Sequence, residues 1–237
     1  SKRRVIPIVS FLVHPFFGIA FGAIWIELYK IIEKIAISIS SMENFGLFLF
    51  GFLNRLLLPF GLHYNLNNYM FYELGEYNGV FGDLNRFLAG DPLAGDYMAG
   101  FYIVFMFGLP AMMLSFYFKL SKENRKHLIG LYVISTVTCI ITGITEPIEI
   151  LFLFLLPELY LLHAVFTGLA MAITPLLKVN IGFNFSAGLL DFISYVGQNP
   201  NNLKILPLGV CFGILYFTSV QLMIRYFHLP VPGNQFN

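Results

Sequence analysis

Four stretches of the chain, residues 5–26, 99–118, 150–177 and 206–226, are almost wholly apolar. Each is long enough to cross a bilayer as a helix, which takes about 20 residues. Gly108 and Pro110 lie in the second stretch and Pro157 and Pro175 in the third. Membrane helices tolerate such breakers when neighbours satisfy the freed backbone groups. Two further apolar stretches, 45–60 and 128–144, are too short to cross comfortably, and this length suits re-entrant or interfacial segments. The first contains Asn54 and Arg55. The second runs past Gly143 into Thr145-Glu146-Pro147. Residues 27–42 differ in kind: Leu28, Ile31, Ile32 and Ile35 recur at helical spacing, with Lys30, Glu33 and Lys34 on the other face. That pattern predicts an amphipathic helix along the interface, with a solvent-facing connector as the alternative.

Composition turns this pattern into a membrane protein. Of 237 residues, 57% are apolar and 11% charged, and mean hydropathy is +0.75, against about 45–50% apolar and about 25% charged in soluble domains. The fold class that follows is all-α, a polytopic membrane helical bundle with two re-entrant hairpins. A net charge of +1 and the lack of a basic tract interleaved with aromatics exclude nucleic acid as a partner. Cys139 and Cys211 each sit in an apolar run without metal or CxxC spacing and read as small buried hydrophobes. No Ser/His/Asp, P-loop or zinc pattern appears, so neither a metal nor another cofactor is expected. The chain opens with Ser1-Lys2-Arg3-Arg4 rather than Met, and the apolar stretch that follows is too long for a signal peptide; it reads as a fragment or half-length gene product.

Lys and Arg in short loops mark the cytoplasmic side. Lys2, Arg3 and Arg4 place the amino terminus there, and Lys119, Lys122, Arg125 and Lys126 place the 119–127 loop there too. The chain then crosses an even number of times between them. Stretches 5–26 and 99–118 supply two crossings, so 45–60 enters and returns. The same parity makes 128–144 the second re-entrant hairpin.

Polar residues concentrate around these short stretches. In Thr142-Gly143-Ile144-Thr145-Glu146-Pro147-Ile148-Glu149, two carboxylates lie three residues apart, where a charge at membrane depth costs about 2.5–3.5 kcal/mol. Pro147 is expected to break the helix after Glu146 and leave its carboxylate facing a cavity, as an acceptor for two hydroxyls of a sugar. The alternative is a Glu paired with an Arg inside the bundle, or one capping a broken helix. In Asn54-Arg55-Leu56-Leu57-Leu58-Pro59-Phe60-Gly61-Leu62-His63, Arg55 suits either a buried carboxylate or a sugar, and His63 can donate and accept. Tyr64, Asn65, Asn67 and Asn68 follow it. Asp83, Arg86 and Asp91 lie in a Gly- and Pro-containing stretch that reads as a loop or as a substrate-facing or gating segment. In Gly182-Phe183-Asn184-Phe185-Ser186-Ala187-Gly188-Leu189-Leu190-Asp191, small residues favour tight helix contact, and Asp191 is a further polar candidate. His14 and His163, alone in apolar runs, read as packed or locally hydrogen-bonded.

Together these segments resemble the glucose / N-acetylglucosamine / maltose group of phosphotransferase-system enzyme IIC sugar permeases. Gly143-Ile144-Thr145-Glu146-Pro147 resembles the group's signature, and Asn54-Arg55 with Gly61-Leu62-His63 its second motif. Arg86, Ala89-Gly90-Asp91-Pro92 and Phe107-Gly108-Leu109-Pro110 follow in the same order. Leu66-Asn67-Asn68, Gly82-Asp83-Leu84-Asn85-Arg86 and Phe185-Ser186-Ala187-Gly188 look more like the N-acetylglucosamine members, while Ile144 looks like the glucose members. The resemblance implies a carboxy-terminal, sugar-binding half of a permease in the bacterial inner membrane. It would comprise a leading transmembrane helix and interfacial helix in 1–43, a transport domain in 44–229 and the start of a linker or tail in 230–237. It also implies that His63 and Glu146 bind the sugar with Arg55 and Thr145 beside them. Asn68, Asp83, Arg86 and Asp191 remain substrate or gating candidates. A separate enzyme IIB domain would phosphorylate the sugar, and the amino-terminal half would make a homodimer. Neither cysteine has the Arg-rich surroundings of a phosphocysteine, so the phosphoryl donor is expected elsewhere. Two other readings are a non-transporting sugar-binding half or sensor, and an ion-coupled sugar transporter.

Overall fold

The first apolar stretch and the amphipathic segment after it form one helix. In a computed structural model, which describes residues 2–234 (backbone only at 2–5 and 8), α1 runs unbroken over Lys2–Ser40. At the usual rise per residue it is about 58 Å long, nearly twice the hydrocarbon thickness. No Gly or Pro falls between Ile26 and Ser40, and Lys30 bonds Glu27 at 2.8 Å across the expected junction. The helix therefore does not turn off along the interface at Glu27. Its buried face is Ile32, Ala36 and Ile39, while Ile31 and Ile35 are exposed. Upstream, Phe11, Phe16, Phe21 and Trp25 are all exposed, which suits lipid. The side chains of Lys2, Arg3 and Arg4, on which the orientation of the amino terminus rests, lie outside the described residues.

The chain continues as α2 (Glu43–Leu57), a 3-10 turn (Leu58–Phe60), and α3 (His63–Asn68), which runs on into a π-helical turn. A two-residue hairpin, β1 (Glu76–Tyr77) with β2 (Val80–Phe81), precedes α4 (Asp83–Leu88). Next come α5 (Asp96–Ile103) and, through a second π-helical turn, α6 (Leu109–Lys119). Then follow α7 (Lys122–Thr142), α8 (Glu146–Leu153), α9 (Pro157–Leu176), α10 (Leu189–Tyr195) and α11 (Ile205–Phe227). Among the described residues, four stretches are long and apolar enough to span a membrane: Val9–Ser40, Asp96–Lys119, Pro157–Leu176 and Pro200–Phe227. The protein is an all-α integral membrane bundle. The third expected stretch is in fact two helices. Pro157 opens α9, and the residue before a proline is pushed out of the helical region; Leu156 accordingly has φ −143° and ψ 63°. α7 is longer than the expected 128–144 because it starts in the polar run at Lys122. Its apolar part, from Leu128, reaches only about 22 Å.

The core is built on α2 against α9. A Cβ on Gly51 would lie 2.9 Å from the Thr167 carbonyl oxygen, and one on Gly168 2.7 Å from that of Phe48. Only hydrogens fit between these backbones, which is how small residues bring membrane helices together. Phe50, Tyr102, Phe116, Phe152 and Tyr216 are among the largest fully buried side chains of the core.

The α6–α7 loop is tied down by its own polar groups. Ser121 caps α7 by accepting from Asn124 N at 3.2 Å, and Arg125 donates to the carbonyls of Tyr117 and Phe118 at the end of α6. The expected tail packs here as well: Ser121 N donates to Asn234 Oδ1 at 3.1 Å and Tyr132 Oη to the Pro232 carbonyl at 2.8 Å. Up to Asn234 the segment is thus anchored rather than a free linker, and residues 235–237 lie outside the described residues. The positive loop should face the cytoplasm. In a variant without Cys139 and Cys211, a cysteine at the exposed Glu123 should resist an impermeant maleimide in intact cells and react in inverted vesicles. Labelling from outside would overturn the topology. Asn124, which is buried, would report nothing.

Candidate functional site

Two chain breaks create the site. The last turn of α2 carries Asn54 and Arg55, the 3-10 turn contains Pro59, and Gly61 at φ 71° ends that turn so that α3 begins at His63. The second break is at Gly143, φ 74°, the C-cap of α7. A Cβ there would be strained and would also meet Ser186 Oγ at 2.6 Å. Ser186 Oγ donates to the Gly143 carbonyl at 2.9 Å, so the break is fixed against the 183–188 loop. The break precedes Pro147 instead of following Glu146: α8 starts at Glu146, with Pro147 in its first turn. Proline is favoured there because the first turn has no N–H bonds to lose. Glu146 therefore heads a helix, where the backbone dipole favours its negative charge.

The breaks open onto one cavity of about 530 Å³. His63, Asn67 and Asn68 line it from α3, and Thr145 and Glu146 from the start of α8. Thr145 is buried and Glu146 exposed to the cavity. His63 Nδ1 is buried without a hydrogen-bond partner, and its ring lies against that of Tyr64, tilted by 36° with centroids 4.1 Å apart. Phe101, Phe105 and Phe183 supply apolar wall, with Tyr72 and Phe185 exposed beside them.

The two carboxylates have separate fates. Glu149 is fully buried and takes Arg55: Nη1 donates to Oε1 at 2.6 Å. His163 Nε2 approaches the same oxygen at 3.4 Å, without the alignment of a hydrogen bond, and its Nδ1 shares a 2.9 Å hydrogen bond with Tyr216 Oη. Arg55 also donates from Nη2 to Asn54 Oδ1 at 2.5 Å, and its guanidinium carbon lies 5.2 and 5.3 Å from the Phe101 and Phe105 ring centres. Tyr160 Oη donates to the Arg55 carbonyl at 2.6 Å. Arg55 does reach the cavity wall, but as a nearly buried group whose charge is already met. The carboxylate–arginine pairing considered for this segment is thus realised by Glu149, and Glu146 is left to the cavity.

Residues 1–168 match the family model described as Phosphotransferase system, EIIC. The chain belongs to the EIIC family. Over 235 residues it is 40% identical to the N-acetylglucosamine-specific EIICB component of Bacillus subtilis, covering 99% of this chain and 52% of that protein. The N-acetylglucosamine-specific EIIC component of Streptomyces coelicolor is 38% identical over 240 residues, 99% of this chain and 58% of that protein. The N-acetylglucosamine-specific EIICBA component of Escherichia coli is 40% identical over 241 residues, 98% and 37%. The EIIC chain described here thus spans about half, or less, of the length of these curated relatives.

Three of the candidate residues of this EIIC chain are not on the cavity wall. Asp83 is buried and accepts from Gly95 N at 2.9 Å and Tyr97 N at 3.0 Å, capping α5. Burial pushes its carboxyl up to about 7 despite these two donors. Arg86 pairs with Asp91 at 2.6 Å. Asp191 accepts from the backbone N–H groups of Asn184, Phe185 and Ser186 at 3.0–3.1 Å. It thereby shapes the loop that lines the cavity, without lining it. Sequence reasoning passed over Asn54, Asn67 and Glu149 as a connected group; His163, read as packed or locally hydrogen-bonded, is buried and bonded to Tyr216. The available signal was charge at membrane depth: a buried Arg and a buried Glu need one another.

Proposed function

We propose that this EIIC chain is the sugar-binding part of the permease component of a phosphoenolpyruvate-dependent sugar phosphotransferase system. It binds a hexose or N-acetylhexosamine, N-acetylglucosamine ahead of glucose, and moves it across the bacterial inner membrane to an EIIB domain for phosphorylation. The observation that carries this is the meeting of His63 and Glu146 in one cavity from breaks far apart in sequence. A sugar offers both hydroxyl donors and acceptors, and the wall offers a carboxylate, an imidazole and three carboxamides. A cavity of about 530 Å³ falls within the range of about 300–1,000 Å³ common for small-molecule sites. Thr145 and Asn68 complete the proposed contacts, with Arg55 beside them held by Glu149 and Asn54, and α2–α3 and α7–α8 act as the two re-entrant arms. Three relatives carry N-acetylglucosamine in their names, and two are fused to further EII components, which supports the sugar and the EIIB partner. A homodimer formed through a preceding helical half fits the same reading.

Titration calorimetry on the purified protein with N-acetylglucosamine, glucose and maltose tests it. N-acetylglucosamine should bind most tightly and maltose least. Heats indistinguishable from dilution for all three sugars would end the proposal.

A further inference from the structure

A line of hydrogen bonds runs from the buried carboxylate of Glu149 to the cavity, and its polarity is fixed at one end. Glu149, ionised against Arg55, can only accept, and a guanidinium can only donate. Arg55 Nη1 donates to Glu149 Oε1, and Nη2 therefore presents a donor to Asn54. Asn54 must answer with its carbonyl oxygen, which turns its Nδ2 toward Asn67. That nitrogen donates to Asn67 Oδ1 at 2.6 Å. Asn67 must in turn answer with its own carbonyl. Its Nδ2, on a half-buried side chain lining the cavity, has no hydrogen-bond partner among the described residues.

We propose that Asn67 is a sugar-binding residue whose amide is held donor-outward by this relay, with Glu149, Arg55 and Asn54 as positioning residues behind it. The inference rests on the reading of the cavity as a sugar site and adds a role within it. Glu146 supplies an acceptor for sugar hydroxyl protons. The sugar oxygens need donors as well, and Asn67 Nδ2 supplies one from the same cavity lining, beside His63. The relay also gives the Arg55–Glu149 pair a purpose beyond stability: a free asparagine can present either end of its amide, and this one cannot without breaking a bond to a charged network.

The test reverses the polarity from outside the cavity. In Asn54→Asp both side-chain oxygens accept, so Asn67 must turn its Nδ2 inward and show Oδ1 to the cavity. Asn67→Asp keeps the bond from Asn54 and replaces the outward donor with an acceptor. Each single variant should weaken N-acetylglucosamine binding about tenfold or more in calorimetry on the full chain. Asn54→Asp should cost no further affinity in an Asn67→Ala background, because its effect passes through Asn67. If Asn54→Asp fails to fold, Asn67→Asp and Asn67→Ala, at a half-buried position, carry the test. Unchanged affinity in these Asn67 variants, or an additive Asn54→Asp loss in the Asn67→Ala background, would overturn the relay. Glu146→Gln, run alongside, separates the two readings. If it loses binding while the Asn67 variants keep it, the sugar site stands and the relay falls. If the parent protein binds neither N-acetylglucosamine nor glucose, both fall.

Discussion

Glu146→Gln should leave the protein folded and lower its affinity for N-acetylglucosamine by about 10- to 150-fold, since a hydrogen bond to a charged group contributes about 1.5–3 kcal/mol. Glutamine keeps the volume and one acceptor oxygen but loses the charge that strengthens bonds from sugar hydroxyls. Folding should be spared because the side chain is exposed to the cavity and makes no ion pair among the described residues. It contributes to the dipole at the start of α8 about 0.3–1 kcal/mol, small against the about 5–15 kcal/mol that holds a typical domain. Glu158→Gln is the matched control: it also sits exposed in a first helical turn, that of α9, but away from the cavity. Calorimetry together with size-exclusion elution separates lost binding from lost folding. Equal affinity in Glu146→Gln and the parent would remove Glu146 from the site.

Arg55→Met should have the opposite profile, with folding affected first. It removes the partner of a fully buried carboxylate, and stranding a buried charge in this way costs about 3–5 kcal/mol. His163 does not rescue Glu149, because its Nε2 stands at 3.4 Å without hydrogen-bond alignment. Replacing both ends is a different matter. A buried ion pair exchanged for well-packed apolar groups is often neutral in stability, so Arg55→Met/Glu149→Leu should recover most of the thermal stability lost in Arg55→Met. The double variant should still bind sugar poorly, because nothing then fixes Asn54 and Asn67. Thermal unfolding in detergent measures the first effect. A melting temperature of Arg55→Met equal to that of the parent would show that the pair contributes nothing to the fold.

These two outcomes separate two carboxylates of one motif. Glu146 and Glu149 stand three apart, and the sequence pointed to Glu146 for the cavity, with a Glu paired to an Arg inside the bundle as the alternative. Local chemistry does not distinguish them. The choice is made by where α2 lies, since Arg55 meets Glu149 across 94 residues of chain. The position of α2 comes in turn from the close approach of Gly51 and Gly168. The same holds for Asp191, whose charge suggested a site residue until the backbone of 184–186 was seen to wrap it.

Some properties did follow from the amino-acid sequence alone. Apolar runs of the right length dictate spanning helices because lipid offers the backbone no partners, and four such helices occur near the expected places. Pro59 and Gly61 ahead of His63 announced the first break, which the left-handed φ of Gly61 makes. The order of motifs was enough to indicate the EIIC family. Errors arose where a local signal had two readings. Pro147 was taken to end a helix and starts one. Pro157 divides a stretch that hydropathy drew as continuous. The amphipathic segment after Ile26 stayed in line with α1 because nothing in it bends a helix. Only the tertiary structure decided which polar groups share the cavity, which carboxylate is free, and which way the amide of Asn67 points. Those are settled by contacts between residues far apart in the chain, and hydrogen-bond polarity passes through such contacts, not along the sequence.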